Sequence, residues 1–196
     1  EIMPSLVGSE MCIRDSSRAI CVGRLEWEKG IDRLIDIWLS VHNTHPDWVL
    51  DIYGQGMLQD ELQQKILAAN AGTYIHLKGS SPDIMYEYLN CSLLVLTSRY
   101  EGFPMALLEA MACGVPCVTY DCPFGPRSMI TNMRNGILVE EGDKKEMVDK
   151  INYLIENEKN RKKIGTNARK YVLQYSQKNI MDKWNILFNN CLTLTS

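Results

Sequence analysis

Short β-rich runs alternate with helical stretches along most of the chain, and this alternation limits the possible folds more than any other feature. In the helical stretches apolar residues recur at helical spacing, as Ile31, Leu34, Trp38 and Val41 do. Strands that alternate with helices favour a parallel sheet with helices on both faces. The predicted class is therefore α/β. The predicted strands cover residues 19–23, 48–53, 74–77, 93–96, 116–120 and 137–139.

Capping and breaking residues predict where two of the helices begin and end. Gly72 should end a helix that covers residues 57–71. Ser81 is predicted to cap a short helix that has Pro82 in its first turn and runs to about Asn90.

The residues with the most distinctive chemistry come directly after predicted strands. In a parallel sheet the carboxyl ends of the strands meet at one edge, and ligands bind there. We therefore expect these residues to converge at that edge. They are Arg24, Lys29, Gly54, Gly56, Glu101 and the segment 123–127.

The segment 99–114 carries two carboxylates, Glu101 and Glu109, with seven residues between them. Within residues 102–120, Glu109 is the only charged side chain. A lone carboxylate in apolar surroundings is costly unless it is hydrogen-bonded. Residues 102–104 are predicted to start a helix, whose free N–H groups favour anions. The segment thus offers backbone donors for a phosphate or sugar oxygen and carboxylates for hydroxyl groups.

This segment resembles the Glu-x7-Glu signature of the retaining glycosyltransferases of family 4. Val22–Gly30 resembles the Gly-Arg…Lys-Gly loop of that family, and Tyr53–Gly56 resembles its second loop. Asp121–Arg127 followed by Asn135–Val139 is similar to a common late pattern. The likeness runs from about residue 19 to about residue 192. It implies a Rossmann-like sheet that forms the C-terminal, nucleotide-sugar-binding half of a GT-B fold.

The resemblance also implies roles for individual residues. Arg24 and Lys29 would bind the nucleotide diphosphate, and Glu109 would accept hydrogen bonds from the ribose hydroxyls. Glu101 would be the catalytic residue and would contact hydroxyls of the transferred sugar. The full enzyme would transfer a hexosyl group from a UDP-sugar, with retention, to a saccharide or lipid-linked acceptor. Further contacts with the substrate would come from Gly102, Phe103, Pro104 and Arg127.

Each of these residues has a plainer interpretation. Arg24 and Lys29 could be two solvated surface cations, and Glu109 could be a helix carboxylate that faces solvent. Glu101 could merely offset the helix dipole.

The sequence predicts no metal site and no cofactor other than the nucleotide-sugar substrate. It has no Asp-x-Asp motif, so the charge of the leaving diphosphate would be met by Arg24, Lys29 and helix N-termini. Cys113 and Cys117 lack two further zinc ligands at a suitable spacing. All seven cysteines are therefore predicted to be reduced thiols of a cytoplasmic protein.

Charge and hydropathy restrict the partners. The net charge of −3 argues against binding to nucleic acid, and no apolar run approaches the roughly 20 residues that span a bilayer. The expected partners are the UDP-sugar, the acceptor and an N-terminal domain. That domain could also attach the enzyme peripherally to the cytoplasmic face of a membrane.

The two ends of the chain are predicted to differ from the domain at residues 18–175. Residues 5–16 resemble a translated sequencing adaptor, so residues 1–17 are expected to be non-native or disordered. Residues 176–196 are predicted to form a C-terminal helix that crosses back to an N-terminal domain absent from this chain. The chain alone would then bind a nucleotide sugar but transfer almost nothing.

Three other functions remain open on the sequence. One is a non-catalytic nucleotide-sugar-binding subunit that needs a partner chain, and another is a UDP-sugar epimerase of GT-B fold. The third, an NAD-dependent oxidoreductase, is disfavoured because Gly54-Gln-Gly56 follows the second strand and Gln59 replaces the third glycine of the motif.

Overall fold

A computed structural model describes residues 16–193, and their backbone is organised around one parallel sheet. The sheet has six strands in the order β3–β2–β1–β4–β5–β6, which confirms the predicted α/β class. The strands are β1 (Arg18–Val22), β2 (Val49–Tyr53), β3 (Ile75–Gly79), β4 (Leu93–Leu96), β5 (Cys117–Tyr120) and β6 (Ile137–Val139).

The helices lie around the sheet and pack against one another. α1 packs against α2 and α5, α4 packs against α3 and α6, and α5 also packs against α6. No helix within residues 16–193 is both long and apolar enough to cross a bilayer. The helices are α1 (Ile31–Thr44), α2 (Gln59–Ala68), α3 (Ile84–Leu89), α4 (Met105–Ala112), α5 (Lys144–Glu156), α6 (Glu158–Val172) and α7 (Gln177–Thr193).

Three helices begin later than the sequence predicts, and one of them also ends earlier. α2 covers Gln59–Ala68 rather than residues 57–71, so Gly72 does not end it. Its C-cap is Ala69, and the left-handed backbone that follows belongs to Asn70, with a φ of 53°.

Asp83, not Ser81, caps α3, and its carboxylate accepts a hydrogen bond of 3.0 Å from the N–H of Tyr86. α4 begins at Met105 rather than at residue 102, with Pro104 as its N-cap. At α3 the hydroxyl of Ser81 accepts a hydrogen bond of 3.2 Å from the N–H of Asp83 and does not cap the helix. The later start of α4 reflects Pro104, which disfavours helical backbone in Phe103 before it.

The order of the strands creates a crevice between β1 and β4. The chain proceeds outward from β1 through β2 to β3, then returns to place β4 on the other side of β1. Such a reversal separates the loops that follow the two central strands, and ligands of open α/β sheets bind between those loops. Lys29 follows β1 and Glu101 follows β4, so the topology directs both to this crevice.

The two ends of the described chain differ in their contacts. Ser17, which lies in the stretch predicted to be outside the domain, accepts a hydrogen bond of 3.0 Å from the N–H of Val49. The predictions for residues 1–15 and for the last three residues lie outside the described range. On α7, Trp184 and Phe188 are exposed and their rings stack with centroids 5.4 Å apart. That α7 crosses to another domain stays a prediction.

Candidate active site

The loop after β1 is fixed against the end of β4 by a close backbone contact. A 3-10 turn at Trp27–Lys29 ends at Gly30, which has a φ of 62° and starts α1. A Cβ on Gly30 would lie 2.2 Å from the carbonyl oxygen of Thr97. Only glycine combines this left-handed backbone with so short an approach. The contact sets Lys29 beside the loop that follows β4.

Lys29 and Glu101 form the centre of the candidate site. The Nζ of Lys29 lies 2.8 Å from both carboxylate oxygens of Glu101, and the hydroxyl of Ser98 donates to Oε1 at 2.7 Å. Glu101 is only 7% exposed. An ammonium has three donors and a carboxylate about four lone-pair directions. Lys29 can therefore still donate one hydrogen bond to a ligand, and Glu101 can still accept one. The site thus offers a ligand both a cation and an anion.

Arg99 ties the two central loops together. Its guanidinium donates to both carboxylate oxygens of Asp32, at 2.8 and 2.6 Å, and to the carbonyl of Trp27 at 2.7 Å. It also lies over the indole ring of Trp27, 4.9 Å from the centroid. Although partial burial opposes ionisation of Asp32, the contact with Arg99 lowers the pKa of that carboxyl. No motif in the sequence assigns a role to Arg99, and its place between β4 and Glu101 is the only local signal for one.

The loop after β5 closes over Glu101. A Cβ on Gly125 would lie 2.8 Å from the Cβ of Glu101 and 3.1 Å from the Cδ of Pro104. The preceding residue, Phe124, is exposed and has a left-handed backbone with a φ of 68°. Its ring meets that of Tyr100 edge-on, with centroids 6.1 Å apart.

Arg127 lies on the far side of the same loop. It is exposed, and its Nε donates to both carboxylate oxygens of Asp121, at 3.0 and 2.9 Å. Both residues line a cleft of about 850 Å³, together with Arg99, Phe124 and Glu141. Arg127 thus borders a space large enough for a ligand, but a carboxylate already engages its charge.

The other residues predicted to contact the substrate, Arg24, Gly102, Phe103 and Pro104, differ from one another in burial and in their contacts. Arg24 is exposed, and its side chain has no hydrogen bond or ion pair with any residue in the described range. Gly102 and Phe103 are exposed, and the Phe103 ring meets Tyr175 edge-on at 6.1 Å. Pro104 is buried at the start of α4, and its carbonyl accepts from Leu107 and Leu108 in the first turn.

Glu109 lies on α4 and is half-buried. The hydroxyl of Tyr88 on α3 donates to its Oε2 at 3.1 Å. Tyr88 is fully buried, but its hydroxyl reaches the carboxylate that is predicted to bind ribose. Glu109 is therefore neither unpartnered nor fully exposed.

Gly54 and Gly56, in the loop after β2, allow that loop to pack against the loop after β1. A Cβ on Gly54, whose φ is 143°, would lie 1.8 Å from the carbonyl oxygen of Gly23. The N–H of Leu25 donates to the carbonyl of Gln55 at 3.0 Å. These backbone contacts account for the Gly-x-Gly spacing without a dinucleotide.

The chain resembles known proteins over most of its length. The family model described as "Glycosyl transferases group 1" matches residues 13–171. The chain belongs to this family. The predicted Rossmann-like half of a GT-B fold is confirmed, and family membership argues against the oxidoreductase alternative.

Relatives of this group 1 chain include two bacterial glycosyltransferases. It is 33% identical over 176 residues to the amylovoran biosynthesis glycosyltransferase AmsD of Erwinia amylovora, covering 90% of the chain and 49% of AmsD. It is 32% identical over 170 residues to the poly(ribitol-phosphate) alpha-N-acetylglucosaminyltransferase of Staphylococcus aureus, covering 86% of the chain and 34% of that enzyme. The chain thus spans about half or less of the length of these relatives.

Solved structures give the same assignment. A crystal structure of S. aureus TarM with UDP superposes with a TM-score of 0.84 at 30% identity, over 91% of this chain and 38% of TarM. The C-terminal domain of the group 1 protein LpcC from Francisella tularensis superposes with a TM-score of 0.71 at 27% identity, over 81% of this chain and 86% of that domain. The roles of the individual site residues stay predictions.

Proposed function

We propose that the crevice between the loops after β1 and β4 binds a UDP-hexose, and that the whole protein is a retaining glycosyltransferase. The observation that carries this proposal is the contact between Lys29 and Glu101, 2.8 Å from Nζ to both carboxylate oxygens. It unites a cation suited to a diphosphate with a carboxylate suited to sugar hydroxyls, at the point where ligands of such sheets bind.

The proposed chemistry assigns one task to each group. Transfer breaks the bond between the anomeric carbon and the diphosphate oxygen, and the electron pair leaves with UDP. Lys29 and Arg24 stabilise the charge that develops on the diphosphate, assisted by the N-terminus of α4. Glu101 accepts hydrogen bonds from the hexose and fixes its orientation. The acceptor hydroxyl transfers its proton to the departing diphosphate oxygen and bonds to the anomeric carbon on the face that the diphosphate leaves. Because the two cations and the helix N-terminus would meet the charge of the diphosphate, the proposed reaction needs no metal.

The donor class is supported by what relatives bind. TarM is solved with UDP and alpha-GlcNAc-glycerol, and the pneumococcal O-GlcNAc transferase GtfA, at 25% identity, with UDP and GlcNAc. Anabaena HepE, also at 25% identity, is solved with UDP and glucose. We extend UDP to this chain and leave the hexose general. The S. aureus relative is named an alpha-transferase, which agrees with retention from an α-linked donor.

The acceptor is proposed to be a saccharide or a lipid-linked saccharide that a second domain holds in attack geometry. Such positioning can account for about 7–11 kcal/mol of the barrier. We therefore expect the 196-residue chain to bind the donor and to transfer almost nothing by itself. The exposed apolar face of α7 around Trp184 would contact that second domain.

Calorimetry with UDP tests the assignment of the donor site. Glu109→Gln keeps the size of the side chain but removes its charge, so UDP affinity should fall by about ten- to a hundredfold, the loss expected for a charged hydrogen bond. The melting temperature without ligand should change little. Normal UDP binding by this variant would show that Glu109 has a structural role only.

A transfer assay tests the reaction. The full-length enzyme, given a UDP-sugar, should release UDP only when an acceptor is added. Conversion of the free UDP-sugar into another sugar nucleotide, without an acceptor, would favour the epimerase alternative instead.

A further inference from the structure

The Glu109 carboxylate is held through one of its two oxygens. The Oη of Tyr88 lies 3.1 Å from Oε2, whereas Oε1 has no hydrogen bond to any residue within the described range. Tyr88 is 0% exposed, but Glu109 is only half-buried. One side of the carboxylate is therefore fixed from within the protein, and the other can accept a hydrogen bond from a ligand.

The direction of this hydrogen bond is fixed as well. Burial, together with the nearby Glu109 carboxylate, raises the pKa of Tyr88 far above the ordinary value for a tyrosine. The phenol therefore keeps its proton throughout the usable pH range. Because a carboxylate is an acceptor only, Tyr88 must be the donor.

The helix that carries Tyr88 is anchored independently of Glu109. Asp83 caps α3 through the N–H of Tyr86 at 3.0 Å. Glu87, next to Tyr88 in the chain, accepts a hydrogen bond of 2.7 Å from Arg18 on β1. These contacts tie α3 to β1 of the sheet. The position of the Tyr88 ring is therefore fixed by contacts that do not involve Glu109.

We propose that Tyr88 is a positioning residue for ribose recognition, whose hydroxyl holds Oε2 of Glu109 so that Oε1 is presented to the ribose hydroxyls. The proposal rests on the proposed function, which assigns the ribose to Glu109. Tyr88 itself does not touch the ligand. It restricts the rotation of the Glu109 side chain before the ligand binds. The entropy of ordering that side chain is then not subtracted from the free energy of binding. Selectivity for nucleotides with ribose hydroxyls should therefore depend on a buried phenol behind the site.

Binding of UDP and of 2′,3′-dideoxy-UDP to the 196-residue chain measures that selectivity directly. The unaltered chain should prefer UDP. Tyr88→Phe retains the ring and removes only the hydroxyl, so the preference should fall by about three- to tenfold, with unchanged affinity for the dideoxy nucleotide. A full preference in this variant would overturn the proposal. An equal loss of affinity for both nucleotides would also overturn it, since that is the result of general loosening.

Tyr153→Phe is the matched control. The hydroxyl of Tyr153 accepts a hydrogen bond of 2.8 Å from Asn160, in the contact between α5 and α6. Tyr153→Phe removes one hydrogen bond of a tyrosine hydroxyl, as Tyr88→Phe does, but leaves Glu109 and its contact unchanged. The preference for UDP should therefore remain as in the unaltered chain. A reduced preference here would mean that the effect is not specific to Tyr88.

Glu109→Gln separates failure of this inference from failure of the proposed function. If Glu109→Gln keeps the preference for UDP, the ribose role of Glu109 is wrong and the positioning role falls with it. If it loses the preference while Tyr88→Phe does not, the ribose role stands and only the positioning role fails. Tyr88→Phe added to Glu109→Gln should cause no further loss of selectivity, because both changes act on the same contact.

Discussion

Lys29 and Glu101 form an ion pair that is largely removed from solvent, with side chains 23% and 7% exposed. Removing one partner of such a pair is costly chiefly because the other charge stays buried and unpaired. Lys29 thus has a structural role in addition to its proposed contact with the diphosphate. Arg24, which is exposed, would have only the second role.

Arg24→Ala and Lys29→Ala should therefore separate binding from stability. Each removes one charge-assisted contact, so each should weaken UDP binding by about 1.5–3 kcal/mol. Arg24→Ala should change the free energy of unfolding by less than about 0.5 kcal/mol. Lys29→Ala should lower it by about 1–3 kcal/mol, because Glu101 loses a buried partner. Calorimetry measures the binding, and urea denaturation measures the stability.

The double variant Lys29→Ala/Glu101→Gln is the control for this interpretation. Neutralising Glu101 should restore part of the lost stability without restoring UDP affinity. Equal stability losses in the two single variants would contradict the structural role of Lys29. Unchanged affinity for UDP in both would contradict the diphosphate site.

At the scale of elements, the loops at the carboxyl edge are positioned by direct contact of their backbones. A Cβ would lie 2.2 Å from the nearest atom at Gly30, 1.8 Å at Gly54 and 2.8 Å at Gly125. The first two contacts bring the β1 loop against β4 and against the β2 loop, and the third brings the β5 loop against Glu101. Because protein interiors resist compression, each loop limits the position of the next.

Gly125→Ala should test this packing. The added Cβ would lie 2.8 Å from the Cβ of Glu101, so the β5 loop and Glu101 would have to move apart. Overpacking of this kind costs about 1–3 kcal/mol. It should lower the melting temperature and weaken the binding of UDP-glucose, taken as a representative UDP-hexose, more than that of UDP, because the displaced residue is the proposed sugar contact.

Gly72→Ala provides the comparison, since a Cβ there meets no atom within 4 Å. It should leave both affinities and the melting temperature close to those of the unaltered chain. Equal behaviour of the two alanine variants would mean that the β5 loop adjusts freely and does not position Glu101.

At the scale of the whole molecule, buried thiols couple stability to alkaline pH. Cys21, Cys91, Cys113, Cys117 and Cys122 are free and buried. Burial raises the pKa of Cys21 and of Cys113 to about 12, and that of Cys122 to about 11. An unfolded chain would titrate these thiols near the ordinary value of about 8.5.

The free energy of unfolding should therefore decline as the pH rises above about 8.5. Between the unfolded and folded pKa values the native state holds protons that the unfolded state releases, so stability is complete below that range and is lost through it. Each fully buried thiol contributes a slope of at most about 1.4 kcal/mol per pH unit. Urea denaturation in the presence of a reductant, at pH 7 to 10, measures the decline. Cys113→Ala should make it shallower, and an unchanged slope would exclude Cys113 as a source.

Local patterns in the sequence were enough to predict the α/β class, the six strands and the loops that carry the site. Apolar periodicity and the residues that follow each strand depend on neighbours within a few positions, and such information is local. The predicted bounds of α2, α3 and α4 differ from the observed ones by a few residues, because several neighbouring polar residues, glycines or prolines can each begin or end a helix. The order of the strands determined which of those loops would meet.

The side-chain contacts of the site were decided by the tertiary structure alone. Lys29 and Glu101 are 72 residues apart in the chain, Asp32 and Arg99 are 67 apart, and Tyr88 and Glu109 are 21 apart. No local pattern encodes which cation meets which carboxylate, since that depends on β4 lying beside β1 and on α3 packing against α4. The sequence by itself determined the chemistry available at the edge of the sheet. Only the packed structure paired those groups, because pairing requires distances that strand order and close backbone approach impose.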